Sequence, residues 1–177
     1  MAHARSLAAA CLILAAAIPA ASQRPEPIPM SRIALKIDNL LIVGNRMTLA
    51  VACVVQTPLT DADLQKRGLD PAKWRREYCS QSLAIVEPWA RKFRKHGNFQ
   101  VMPRGAADAW LASTRVGDDG EVDPAALAAL GRRLDATHLL LVQEKITPRG
   151  KKLNEFRVLS LVDLSSGDVL AVDQTRF

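Results

Sequence analysis

The side chains that could do chemistry in this sequence are few and scattered. Downstream of the first 22 residues there are two histidines, His96 and His138, and two cysteines, Cys53 and Cys79. Nucleophilic catalysis needs a Ser, Thr or Cys within hydrogen-bond reach of an oriented base, and no G-x-S-x-G elbow presents a serine for that role. His96 closes a run of Arg and Lys at a predicted helix end, where an imidazole suits the partial negative charge of the last carbonyls. His138 opens a predicted strand, the setting of a hydrogen-bonded structural histidine. Asp118, Asp119, Glu121 and Asp123 form an acidic loop. Hard cations want several carboxylate oxygens, but this spacing is not that of an EF-hand, and a solvated loop accounts for it. No glycine-rich phosphate loop is present. Neither histidine stands at a ligand spacing from a cysteine, so no zinc site is indicated. The chemistry predicts no catalytic, cofactor or metal site.

Two basic runs remain as candidate partner-binding residues. One comprises Arg91, Arg94 and Lys95 at the end of a predicted helix. The other comprises Arg149, Lys151 and Lys152 in a predicted turn. Ordinary charged surface is the simpler explanation of such runs. They would act together only if the fold brought them within about a Debye length, ~8–10 Å in physiological salt.

The first 22 residues read as a cleavable leader. Arg5 supplies the positive start, Leu7 to Ile18 an apolar run, and Ala20-Ala21-Ser22 small residues for a peptidase before Gln23. The run falls short of the ~20 apolar residues a membrane helix needs. Cys11 lies inside it rather than after it, which argues against lipidation. An Ala-rich leader and an Arg-rich remainder point to a bacterial periplasm. Export excludes nucleic acid as the natural partner, although the chain carries a net charge of +6. In an oxidising compartment Cys53 and Cys79 can bridge. Alternatively they are two small buried hydrophobes.

Residues 23–31 form a Pro-rich linker and residues 32–177 a single domain. The alternation of Ile33, Leu35 and Ile37 predicts a half-buried strand. Gly44-Asn45 then offers a turn into Met47 to Val55, apolar enough to be covered on both faces. A β-hairpin is therefore expected to open the domain. Thr57 to Gly68 is a polar connection with room for one helical turn capped by Thr60. Asp70-Pro71 starts a helix bearing Trp74, Tyr78, Val86, Trp89 and Phe93 on one face. Pro88 predicts a kink, or two helices meeting near Ser80 to Ser82, and Gly97 a helix end. Phe99 to Met102 reads as a short strand, followed by a short helix at 109–111. Asp123-Pro124 starts another helix, ending near Asp135. Strands at 138–146, 153–164 and 169–175 complete the domain. The order β-β-α-β-α-α-β-β-β gives an α/β fold: a mixed, largely antiparallel sheet of about five strands carrying two to four helices.

Three segments carry a resemblance. They are Gly97-Asn98-Phe99-Gln100-Val101-Met102-Pro103-Arg104 with Trp110-Leu111, then Leu130-Gly131 with Asp135-Ala136-Thr137-His138-Leu139-Leu140, and Leu161-Val162-Asp163-Leu164-Ser165-Ser166-Gly167-Asp168-Val169-Leu170. In order and spacing, over residues 81 to 172, they resemble the CsgG-type and TolB-N-like periplasmic domains of curli secretion, exopolysaccharide export and penicillin-binding-protein activation. Departures are Pro103 before Arg104 and His138 at a usually aromatic position. The resemblance implies a non-enzymatic binding or assembly module of the cell envelope, an accessory to polymer or protein export. Its partner would be an envelope protein or an anionic envelope polymer, or a second copy in a homo-oligomer. The alternative from another class is a small periplasmic hydrolase using His138 or the acidic loop 118–123.

Overall fold

The computed structural model describes residues 31–103, 105, 107, 110, 123–149 and 152–176. Its organising element is β1, Met47–Gln56 (MTLAVACVVQ), a nearly unbroken apolar strand. Such a strand is stable only with both faces covered. The other strands are β2 (Phe99–Val101), β3 (His138–Arg149), β4 (Lys152–Asp163) and β5 (Val169–Arg176). They lie in the order β2-β1-β3-β4-β5. β1 runs parallel to β2 and β3, whereas β3, β4 and β5 form an antiparallel meander. The helices are α1 (Ser31–Ile42), α2 (Asp61–Lys66), α3 (Pro71–Arg91) and α4 (Pro124–Leu134), and α3 runs on into a 3-10 turn at Lys92–Lys95.

On one face of the sheet, Met47 and Leu49 of β1 and Leu140, Val142, Leu159 and Leu161 of the meander pack against α1 and α3. On the other, Ala50, Ala52, Leu139 and Leu141 pack against Leu127 and Leu130 of α4 and against Ala107 and Trp110. A smaller cluster under α2 joins Leu64, Trp74 and Ile146. Gly131 marks where α4 meets the end of β4. A Cβ there would stand 2.9 Å from Leu164 Cβ and 3.1 Å from the Ala136 carbonyl oxygen, closer than side chains pack. The chain then reverses through Asp135, the one non-glycine with positive φ (50°) among the described residues.

The expected opening hairpin is not there. Residues 31–42 form α1, so the order begins α-β and not β-β. Ile33, Ile37 and Leu41 lie at i, i+4, i+8 and are buried, while Leu35, which the strand reading placed beside Ile33 and Ile37, is 63% exposed. The deciding contact comes from the far end of the chain: a carboxylate oxygen of buried Asp173 on β5 accepts from the Ile33 N–H at 3.0 Å. It satisfies one of the orphan donors of the α1 N-terminus.

Nor does α3 divide at Ser80 to Ser82. It is one helix of 21 residues with Pro88 inside it. Pro88 and Ala84, whose carbonyl loses its partner, are both exposed, so water can take the place of the missing bond. The helix also ends earlier than Gly97, at Arg91. Trp89 is half-buried rather than buried, edge-on to Phe93 at 5.1 Å. The caps match their signals. Asp70 accepts from Lys73 N–H at 2.7 Å, Asp123 from Ala125 N–H at 3.0 Å, and Thr60 with Asp63 forms a capping box. β3 and β4 pair as far as Arg149 and Lys152, further than expected. The expected helix at 109–111 lies largely outside the described residues.

Two contacts fix α3 on the sheet. Cys79 is disulfide-bonded to Cys53 of β1, with Cα atoms 5.4 Å apart. Below the bridge, the Ser82 hydroxyl and the Arg157 guanidinium of β4 both bond the Glu144 carboxylate of β3, and all three residues are buried. Tyr78 donates to Glu155 at 2.8 Å nearby. Burial, then the bond to Glu155 and the charges of Glu155 and Glu144, push the Tyr78 hydroxyl far above its ordinary range.

Two outcomes follow for urea unfolding. Leu130 is fully buried, so Leu130→Ala should cost about 2–5 kcal/mol; a loss under about 0.5 kcal/mol would place the helix in the wrong register. Reduction of Cys53–Cys79, which closes a loop of 26 residues, should lower stability by about 3 kcal/mol. Identical unfolding with and without reductant would remove the bridge from the fold.

Candidate functional site

The candidate site arises because β2 is short. Its three residues pair only with Met47, Thr48 and Leu49 of β1. Along a strand, successive backbone amides point to opposite sides. Met47 N–H donates to Asn98 at 2.9 Å and Met102 N–H donates to Leu49 at 2.9 Å, so odd-numbered β1 residues face the β2 side. Thr137 N–H donates to Thr48 at 2.9 Å, so even-numbered ones face β3. Beyond Leu49 the same alternation turns the N–H and C=O groups of Val51, Cys53 and Val55 outward. No strand among the described residues pairs with them.

α3 passes over this open edge. Leu83, Glu87 and Arg91 of α3 and Arg94 of the following turn, with Val51 of β1 and Val101, Met102 and Pro103 at the end of β2, line a groove of about 230 Å³. Phe93 sets the position of Arg94. Its ring is buried between Trp89 and Phe99, at 5.1 and 5.7 Å, and holds the turn down while its neighbours project. His96 lies 3.4 Å from Asp38 of α1. The Asn98 side chain donates to the carbonyls of Leu41 and Asn45 at 3.1 and 2.8 Å. Both contacts brace the entry to β2. Arg91 and Arg94 are exposed and in no ion pair among the described residues. Lys95 is exposed too but does not line the groove.

The second basic set lies at the other end of the sheet. Arg149 is exposed and pairs with Lys152 at the end of the β3–β4 ribbon; Lys151 and the Lys152 side chain lie outside the described residues. His138 is level with Leu49 of β1, and Arg149 ends the same strand. That run of strand is about 36 Å at ~3.3 Å per residue, several Debye lengths. The fold brings Arg91 and Arg94 together and separates them from Arg149 and its neighbours.

The residues considered for catalysis are held by structural contacts. His138 is buried at the start of β3, with Nδ1 2.8 Å from Thr137 Oγ1. Burial lowers its pKa, against the opposing charge of Asp163. Partial burial alone would raise the Asp163 pKa, but hydrogen bonds from Ser165 and Ser166 in the β4–β5 turn hold it below the usual carboxylate range. Asp123 is engaged as the cap of α4, and Asp118, Asp119 and Glu121 lie outside the described residues. Among the described residues there is no group of three or more His, Cys, Asp or Glu placed to hold a metal, and no helix long and apolar enough to cross a membrane.

Sequence reasoning found Arg91 and Arg94 but not the groove. Val51, Leu83 and Glu87 carry no local signal for it.

No family model matches the chain, and no curated protein does. Among solved structures, the chain is similar to the LpoB C-terminal domain from Salmonella enterica, at 10% identity over 84% of this chain and 96% of that one, with a TM-score of 0.40. It is similar to lipoprotein GNA1162 from Neisseria meningitidis at 14% identity, over 75% of this chain and 79% of that one, with a TM-score of 0.38. Similarity to the PelC dodecamer from Paraburkholderia phytofirmans is 17% in identity, over 75% of this chain and 72% of that one, with a TM-score of 0.32.

Proposed function

We propose that this chain is a non-enzymatic binding or assembly module of the bacterial periplasm, an accessory to the export of polymer or protein. The observation that supports the reading is the groove: a strand edge that no described strand pairs, beside two arginines outside any described ion pair, suits recognition of a partner. The leader and the Cys53–Cys79 bridge support an exported protein, since disulfides persist in oxidising compartments. The motif resemblance to the CsgG-type and TolB-N-like domains belongs to this proposal and supplies its class of pathway. The partner is an envelope protein or an anionic envelope polymer, with self-assembly a further form the same surface could take.

A photo-crosslinking residue placed at Arg94 in the periplasm of a diderm host tests the reading, with Arg149 as the second basic position and Arg132 on α4 as the control. The expected result is a discrete adduct from Arg94, none from Arg132, and a mature chain beginning near Gln23. Retention in the cytoplasm, or the same adducts from Arg132 as from Arg94, would refute it. An adduct from Arg149 alone would move the interface to the hairpin tip.

A hydrolase built on His138 would need that ring open to substrate, whereas it is buried at the start of β3 with Nδ1 on Thr137 Oγ1. Burial favours its neutral form in the folded state. A histidine with a lowered folded pKa contributes stability that is complete above its ordinary value of about 6.5 and is lost as pH falls below it. Wild-type stability to urea should therefore drop between pH 7.5 and pH 5, and His138→Gln should drop less while keeping the Arg94 adduct. A variant as acid-sensitive as the wild type would show that another group titrates.

A further inference from the structure

We infer that the groove beside β1 takes an extended, acidic peptide from a partner protein by strand addition. The inference rests on the binding-module reading and deepens it by naming the ligand chemistry. Val51, Cys53 and Val55 present N–H and C=O groups outward at every second residue, a repeat of roughly 6.6 Å along the strand. That spacing is matched by the backbone of another polypeptide in extended conformation, which would continue the row that β2 leaves after Val101. A saccharide chain offers no such alternation of donors and acceptors. At about 230 Å³ the groove is also smaller than the ~300–1,000 Å³ usual for a small-molecule pocket. It suits one or two side chains of a strand whose backbone runs outside it.

Charge selects the sequence. The added strand would pass Leu83 and Val51, which ask for an apolar residue. Arg91 and Arg94 stand where it meets the end of β2 and ask for a carboxylate. Glu87, on the same wall, is already engaged in an interaction. A second copy of this chain is a poorer occupant. Its own edge strand, β5, has the sequence VLAVDQTR. The single acid there, Asp173, is buried and bonded to Ile33.

The probe is a fluorescein-labelled nonapeptide of alternating valine and glutamate, titrated into the oxidised, folded chain at low salt. Saturable binding below 1 mM is expected, with NMR shifts at the Val51, Cys53 and Val55 amides. Arg91→Glu with Arg94→Glu should weaken it by about tenfold or more while leaving the melting temperature unchanged; both side chains are exposed, so the fold is not at risk. The same peptide N-methylated on alternate residues along one edge should lose binding to a similar extent, because its strand can no longer pair. Equal binding by the methylated peptide would overturn strand addition and leave a simple anion patch. Competition by alginate equal to that of the free peptide would assign the groove to an acidic polymer. Absence of binding at 1 mM, or a doubling of mass with concentration that the peptide does not affect, would overturn the peptide ligand outright. Any of these results with the Arg94 adduct still formed in cells would refute the peptide without refuting the module.

Discussion

The rest of the structure depends on the pairing of β1 with β3. Eight consecutive residues, Leu49 to Gln56, run in register against His138 to Lys145. A parallel pair cannot be closed by a tight turn, so the chain must cross over between them, and the two faces of the pair must each be covered. The first demand is met by the long excursion through α2, α3, β2 and α4. The second is met by α1 and α3 on one side and α4 on the other. The same pairing fixes the direction of every backbone amide in β1. Even-numbered residues are used by β3; odd-numbered ones are left to β2, which is too short to use them all. The groove is thus a by-product of a parallel pairing whose outer strand stops early.

Within that frame, α3 is held by polar contacts that tolerate little displacement. Glu144 and Arg157 are both buried, and a buried pair of charges returns its desolvation cost only when the geometry is good and further hydrogen bonds are made. Ser82 supplies one of those bonds, so a small shift of the helix would cost an ion its partner. The disulfide lies about one helical turn away and restrains the same stretch. Apolar packing alone would let α3 slide along the sheet. The buried carboxylate fixes its register, and with it the height at which Leu83, Glu87 and Arg91 stand above the open edge.

Much of this was legible where the signal is local. Asp70-Pro71 and Asp123-Pro124 are capped helix starts in the sequence and in the structure. The meander from His138 to Thr175 follows from β-rich runs separated by turn residues. The miss at residues 31–42 has a physical origin. Ile33, Leu35 and Ile37 alternate as a strand would, while Ile33, Ile37 and Leu41 recur as a helix would, and both patterns are present in one short segment. What separates them is docking on the sheet, where Ile33, Ile37 and Leu41 are buried and the Ile33 N–H bonds Asp173, 140 residues away. The groove was out of reach for a similar reason. It depends on which strand stands beside β1 and for how long, and no run of neighbouring residues encodes a neighbour across the sheet.

The tie between Ile33 and Asp173 sets the order in which the molecule can be completed. Helix α1 docks on β5, and the Ile33 N–H finds its partner only once residue 173 is in place. A chain truncated before residue 173 keeps the packing of α1 on β1 but lacks the bond that closes it. Long-range closures of this kind slow folding, because loop entropy must be overcome before the contact stabilises the chain.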